Sequence, residues 1–182
     1  ETGVSQREMA LAIRDHLGKY VLGARPTDVQ ALAARMDRNV ARNEVAKGVV
    51  DLACHDLAAR QVGRPVHDLI GGAVVDRIPL CGLLPLLDPE TTAELAAGYQ
   101  RGGYRSVRIK LGTSPTADRD VIAAVRARCG DDLRIRVDYN QAYTAPTAVR
   151  ALSLIEPFGI DAAEQPLPLG DLVGMVELQR RT

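Results

Sequence analysis

Five polar residues near the ends of three predicted strands have side chains suited to chemistry on a carboxylate. They are Arg108 and Lys110 in VRIKLG, Asp138 and Asn140 in VDYNQ, and Glu164 in AEQP. Residues i and i+2 of a strand point to the same face, so each two-apart pair shares a face. Neighbouring carboxylates are the hard oxygen ligands that Mg²⁺ prefers. A lysine near other positive charge can serve as a general base, so the set predicts proton abstraction beside a metal-bound carboxylate.

The elements around these residues predict a parallel sheet. Strand-like and helical segments alternate four times, with strands expected at 76–84, 104–112, 132–141 and 160–166. Repeated βα units give right-handed crossovers, and their spacing matches the first four units of a TIM-type (β/α) barrel of the α/β class. Active sites of such barrels form at the C-terminal strand ends, where all five polar residues lie. A doubly wound sheet is the alternative, although no strand is followed by a G-x-G-x-x-G loop.

The first part of the chain is predicted to be helical. Helices are expected over 5–17 and 27–41 and through the apolar run that begins near residue 45, with Ser5 and Thr27 as N-caps. We expect two domains, 1–74 as the helical part of an α+β capping domain and 75–182 as the first half of the barrel. Four strands leave bare edges and an open core, so we expect a piece of a longer polypeptide, or else a partner chain that completes the barrel.

Composition excludes several other classes of function. Lys+Arg and Asp+Glu both number 23, which gives no electrostatic basis for binding nucleic acid or an anionic membrane surface. Aromatic residues make up 3% with no Trp, which disfavours a base-stacking platform, and no apolar run approaches the length of a membrane helix. We expect no nucleic-acid or membrane partner and a cytoplasmic location.

The three cysteines, Cys54, Cys81 and Cys129, are widely spaced and form no CxxC motif. This pattern disfavours a disulfide framework or a zinc site. We expect all three to be buried small hydrophobic residues in a reducing compartment.

The three strand-end motifs that carry the polar residues resemble those of the mandelate racemase/muconate lactonizing enzyme family of the enolase superfamily. VRIKLG resembles the K-x-K strand of that family, VDYNQ the first metal-ligand motif and AEQP the second, and DLACHDLAARQVGRPVHDLIGG resembles the entry to its barrel. The resemblance implies that Asp138 and Glu164 bind Mg²⁺, Lys110 is the acid/base, and Asn140 contacts substrate. Arg108 replaces the first lysine of the family motif, and arginine can also grip a carboxylate.

The resemblance further implies a small carboxylate substrate, a homo-oligomer, and an enediolate intermediate leading to racemisation, epimerisation or cycloisomerisation. The third metal ligand and the second acid/base would lie beyond residue 182. Two alternatives are an acid-sugar dehydratase of the same superfamily and a non-catalytic barrel homologue that only binds a ligand or partner.

Structural interpretations of the same residues are also available. Arg108 and Lys110 fit a solvated strand edge, Asp138 and Glu164 fit ordinary strand-end residues, and Asn140 fits a turn. Arg134 and Arg136 share the parity of Asp138 and are expected to point into the barrel. The sequence gives no functional reason for two inward arginines, and the alternatives are that they extend to the open bottom of the barrel or that the strand bulges.

Overall fold

The computed structural model describes residues 3–181, which divide into two compact units between Asp76 and Arg77. Each unit has its own hydrophobic core. No helix in the described part of the chain has the length and apolar composition needed to cross a membrane.

The first unit is helical. Its elements are α1 (Gln6–Leu11), a π-helical segment (Ala12–Leu17), α2 (Gly18–Val21), α3 (Val29–Asn39), α4 (Glu44–Val62) and α5 (Val66–Leu69). The predicted capping box at the first helix is confirmed, because the Ser5 hydroxyl accepts from the Glu8 amide and Glu8 accepts from the Ser5 amide. The prediction of Thr27 as a cap is wrong, since Asp28 precedes the first residue of α3.

The second unit alternates strands and helices, as the sequence predicts. Its elements are β1 (Gly82–Leu84), α6 (Pro89–Arg101), β2 (Ser106–Lys110), α7 (Pro115–Cys129), β3 (Arg134–Asp138), α8 (Ala145–Ile155), a 3₁₀ turn (Glu156–Phe158), β4 (Ala162–Glu164) and α9 (Leu172–Arg181). All neighbouring strands are parallel, in the order β1-β2-β3-β4. This confirms the α/β fold class and a partial barrel architecture.

Alternation along the strands divides the sheet into two faces of different character. Val107, Ile109, Ile135 and Val137 are fully buried in the core that also holds residues of α6, α7 and α8. On the other face Leu83 is 51% exposed, and Arg134 and Arg136 point to this same open face, as their shared parity with Asp138 predicts. The helices of this unit therefore cover one face of the sheet, and no described element of the same unit covers the other.

Regular strand pairing places the two arginines of β3, Arg134 and Arg136, on the open face. Arg134 Nε lies 2.9 Å from Asp161 Oδ1 in an exposed ion pair. Arg136 is the register partner of Arg108, and the pairing of β2 with β3 continues over five residues without a bulge. Regular strand geometry thus directs the side chains of Arg134 and Arg136 to the open face.

Two of the three cysteines are buried as predicted. Cys54 lies in the core of the first unit and Cys129 in that of the second, and burial raises the pKa of both thiols. Cys81 is exposed, so the prediction for that residue is wrong.

Candidate active site

Strand register aligns three of the predicted residues in one row at the C-terminal edge of the sheet. Lys110 of β2 pairs with Asp138 of β3, and Asp138 pairs with Glu164 of β4. Parallel strands whose apolar residues are buried on one face must point these polar residues to the other. This register brings Lys110 and Asp138, which are 28 residues apart in the sequence, and Asp138 and Glu164, which are 26 apart, into one row.

Lys110 is held by two oxygen atoms of the neighbouring strand end. Its Nζ donates to Asp138 Oδ2 at 2.6 Å and to Asn140 Oδ1 at 2.5 Å. The Asn140 amide in turn donates to Asp138 Oδ1 at 3.0 Å. The Asp138 side chain is 2% exposed and that of Lys110 is 27% exposed, so the lysine side chain is partly open to solvent while the aspartate side chain is buried.

Arg108 completes the cluster from one layer below on the same strand face. Its Nη1 donates to Glu164 Oε2 at 2.8 Å and lies 3.8 Å from Asp138 Oδ2. Each carboxylate therefore has one close cation, and Arg108 lies near both. This arrangement accounts for two cations on one strand, because opposite charges on the next two strands offset their mutual repulsion.

The protonation of Asp138 is set by opposing effects. Burial would raise the pKa of its carboxyl, but the hydrogen bond from Lys110 and the one from the Asn140 amide lower it. The charges of Lys110 and Arg108 lower it further, so the pKa lies below its ordinary value. Asp138 is therefore an anion at neutral pH, the form that a cation requires.

The backbone next to the two carboxylates adopts the left-handed region. Asn140 has a φ of 44°, Gln141 of 69° and Gln165 of 41°. Asparagine tolerates this conformation better than most residues, and each such residue costs on the order of 1 kcal/mol or more. Loop hydrogen bonds maintain it: Gln141 N donates to Gln165 O at 2.8 Å, and Leu169 N donates to Gln141 Oε1 at 2.7 Å.

The donor atoms suit a hard divalent cation, although the described residues supply only part of a coordination shell. Asp138 and Glu164 are adjacent across the sheet, and the side-chain oxygen of Asn140 binds the same Lys110 ammonium group as Asp138 does. No group of three or more His, Cys, Asp or Glu side chains in residues 3–181 could hold a metal. Mg²⁺ keeps water and substrate oxygens among its six ligands, so two carboxylates fit a partial site.

The structure thus brings all five predicted residues into one cluster. Sequence reasoning missed Asp118 and Tyr143, which lie beside this cluster and form a buried hydrogen bond. Asp118 resembles an ordinary acidic residue in the first turn of a helix, and Tyr143 resembles a loop residue. Nothing in their spacing indicates that they meet.

Two family models together match most of the chain. The model described as mandelate racemase / muconate lactonizing enzyme, N-terminal domain, matches residues 1–71. The model described as enolase C-terminal domain-like matches residues 91–182.

Individual relatives are isomerases of different kinds. The chain is 32% identical over 182 residues to N-succinyl-L-Arg/Lys racemase of Bacillus cereus, covering all of this chain and 49% of the racemase. It is 35% identical over 157 residues to a chloromuconate cycloisomerase of Pseudomonas putida, covering 85% of this chain and 42% of the enzyme. The chain spans about half the length of the curated relatives it matches.

Solved structures have the same fold over the whole chain. The crystal structure of the Bacillus cereus racemase matches with a TM-score of 0.94, covering 100% of this chain and 49% of that one. A dipeptide epimerase from Enterococcus faecalis, solved with Mg and the dipeptide L-Leu-L-Tyr, matches at 28% identity with a TM-score of 0.92, covering 100% of this chain and 51% of that one.

Proposed function

Because the chain belongs to the mandelate racemase/muconate lactonizing enzyme family, we propose that it carries half the active site of a Mg²⁺-dependent isomerase. The enzyme removes the proton α to a carboxylate and stabilises the resulting enediolate. The observation that carries this proposal is the row of Lys110, Asp138 and Glu164, with Arg108 beside it. Racemisation or epimerisation of an N-acylated amino acid or dipeptide is our first candidate, supported by the relatives that span the whole chain.

Asp138 and Glu164 would hold the Mg²⁺ ion. When bound, the ion supplies Lewis-acid polarisation of the substrate carboxylate, which acidifies the α-proton and offsets the charge of the enediolate. Further ligands would come from water, from substrate and from the remainder of the protein.

Lys110 would act as the acid/base on one face of the substrate. Its Nζ is fixed by Asp138 and Asn140, so the lone pair of the neutral amine has a defined direction. A proton taken from the α-carbon would reside on Nζ and return to the planar intermediate from the same side. Arg108 would bind the substrate carboxylate through its guanidinium fork, and Asn140 would contact substrate next to Lys110.

The complete activity belongs to a longer protein in this proposal. The open face that carries Leu83, Arg108 and Arg136 requires further strands to become a barrel interior. Those strands would supply the second acid/base, which acts on the opposite face of the substrate. The cytoplasmic location and the homo-oligomer expected from the sequence stay predictions.

Exchange of the substrate α-proton with solvent tests this function directly. The full-length protein is incubated in D₂O with each enantiomer of N-succinylamino acids and with dipeptides, with Mg²⁺ or with EDTA, and deuterium uptake is followed by NMR. We expect exchange with Mg²⁺ only, and we expect Lys110→Ala to abolish it on at least one face. Lys47→Ala is the matched control, since Lys47 also pairs with an aspartate, Asp37, at 2.9 Å in the other unit.

Each outcome has a distinct meaning. Failure of the unmodified protein to exchange any of these α-protons rejects racemisation and epimerisation. Full exchange of both enantiomers by Lys110→Ala rejects Lys110 as the base.

Cycloisomerisation is the second candidate, favoured by the 35% identity to chloromuconate cycloisomerase, and loss of muconate absorbance tests it. Dehydration of acid sugars and ligand binding without turnover are the remaining alternatives.

A further inference from the structure

Asp118 is a buried carboxylate whose hydrogen bonds lead to the ends of the site strands. It lies in the first turn of α7 and is 1% exposed. Its Oδ1 accepts from the amides of Gly112 and Thr113 at 3.0 and 3.3 Å. These amides lie two and three residues beyond Lys110, in the loop that follows β2. An isolated buried carboxylate is costly, so these hydrogen bonds must offset its loss of hydration.

The other oxygen of Asp118 connects this loop to the next strand end. Tyr143 Oη donates to Asp118 Oδ2 at 2.5 Å, and the Tyr143 amide donates to Pro166 O at 2.9 Å. Tyr143 follows β3, which carries Asp138, and Pro166 follows β4, which carries Glu164. Burial raises the pKa of the Tyr143 phenol, and the hydrogen bond to Asp118 raises it further, so the hydroxyl remains a donor.

The loops that these two residues join are also in direct contact. Gly112 has a φ of 120°, and a Cβ atom placed there would lie 2.6 Å from Ala142 Cβ and 3.4 Å from Tyr139 O. The Leu111 amide donates to Asp138 O at 3.0 Å, which extends the strand pairing one residue past Lys110. The loop after β2 therefore has little space to shift while it stays hydrogen-bonded to Asp118.

We propose that Asp118 and Tyr143, here named the strand-end clamp, are positioning residues that fix Lys110 relative to the Asp138 and Glu164 strand ends. This inference rests on the proposed function. Among the described residues, the hydrogen bonds of these two side chains join them to each other and to the loop amides rather than to the five cluster residues, so both act through the backbone of the loops. A shift of about 1 Å in a reacting group can cost about 100-fold in rate, so the clamp matters for catalysis even where the fold survives.

Two tyrosines provide a matched test. Tyr143→Phe removes the hydroxyl that binds Asp118, whereas Tyr139→Phe removes a hydroxyl that is also buried but has no hydrogen-bond partner among the described residues. The two rings are neighbours, with centroids 5.3 Å apart. Asp118→Ala removes the acceptor of two amides as well and risks unfolding, so the tyrosine pair carries the test.

The decisive readout is the ratio of α-proton exchange rates for the two substrate enantiomers, measured in the full-length protein with Mg²⁺. We expect Tyr143→Phe to lower exchange on the Lys110 face by about tenfold or more, with a smaller loss on the opposite face and little change in KM. Tyr139→Phe keeps both rates. The enantiomer whose α-proton exchange is lost in Lys110→Ala is the one that reacts on the Lys110 face.

A purely structural role predicts a different result. Tyr143→Phe would then lower both rates in proportion to the loss of folded protein and leave their ratio unchanged, which overturns the proposal. Amide hydrogen exchange at Gly112 and Thr113 provides a readout that needs no substrate. Faster exchange there in Tyr143→Phe than in Tyr139→Phe supports the clamp, and equal exchange rejects it, even if the unmodified protein proves inactive and the proposed function fails.

Discussion

Arg126 of α7 permits a quantitative prediction about what joins the helices to the sheet. Its guanidinium donates to four backbone carbonyls beyond its own turn of helix: Nε to Phe158 O at 2.7 Å, Nη2 to Gly159 O at 2.8 Å, and Nη1 to Gly130 O and Leu133 O. One side chain thus links α7 to the start of β3 and to the turn before β4. We expect Arg126→Met, which keeps much of the apolar stem, to destabilise the protein.

The size of this effect follows from which carbonyls can be rehydrated. The bonds to Gly130 O and Gly159 O are exposed, so water can replace the guanidinium there, whereas those to Phe158 O and Leu133 O are partly buried. Hydrogen bonds to charged groups contribute about 1.5–3 kcal/mol each, and losses that share one donor are not additive. We expect a loss of about 2–4 kcal/mol in the free energy of unfolding.

Arg128→Met is the matched control on the same helix. Arg128 pairs with Glu90 at 3.0 Å, but both side chains are largely exposed, and such a pair contributes about 0–1 kcal/mol. Urea denaturation, with the midpoint and slope fitted for each variant, measures both changes. If the two arginine substitutions cost the same within about 0.5 kcal/mol, the carbonyl contacts of Arg126 do not stabilise the unit and the reasoning is refuted.

Three further predictions concern the site edge. Gly112→Ala should lower the free energy of unfolding, measured by thermal denaturation, by about 1–3 kcal/mol more than Gly130→Ala does. Both glycines have a positive φ, but only at Gly112 would the new Cβ press against Ala142. The lowered pKa of Asp138 means that its contribution to stability is present above about pH 4 and is lost as pH falls through the folded value, so Asp138→Asn should weaken the acid dependence of unfolding. Mg²⁺ should raise the melting temperature of the full-length protein, and Glu164→Gln should reduce that shift at equal Mg²⁺ concentration.

The features that could be predicted from the sequence are those set by the local periodicity of apolar residues. Apolar residues alternate in VRIKLG and recur at helical spacing in the flanking segments, so the βα order and the strand-end positions of Lys110 and Asp138 follow from the sequence. The first strand is shorter than predicted, Gly82–Leu84 rather than 76–84. Pro79 lies within the predicted range and cannot donate a ladder hydrogen bond, which accounts for part of this difference.

Contacts between distant loops were not predictable. Asp118 and Tyr143 are 25 residues apart, and Arg126 reaches carbonyls up to 33 residues away. A buried acid in a first turn has the same sequence context as an exposed one, because Asp is favoured there by the helix dipole in either case. Only the packing of α7 against the strand ends distinguishes the two.

The two faces of the sheet separate the apolar packing from the polar cluster within single strands. In β2 and β3 the residues of one parity, such as Ile109 and Val137, are fully buried under the helices, while Lys110 and Asp138 point to the other face. A substitution in the polar row therefore removes no side chain from the apolar core on the other face, and the relatives are isomerases of different kinds on one fold. At the last residues of the strands, substitutions are more restricted. There the backbone takes up left-handed conformations at Asn140 and Gln165, and the loops must be fixed by side chains from other elements. The position of Lys110 relative to the carboxylates is thus determined jointly by strand register and by contacts outside the strands.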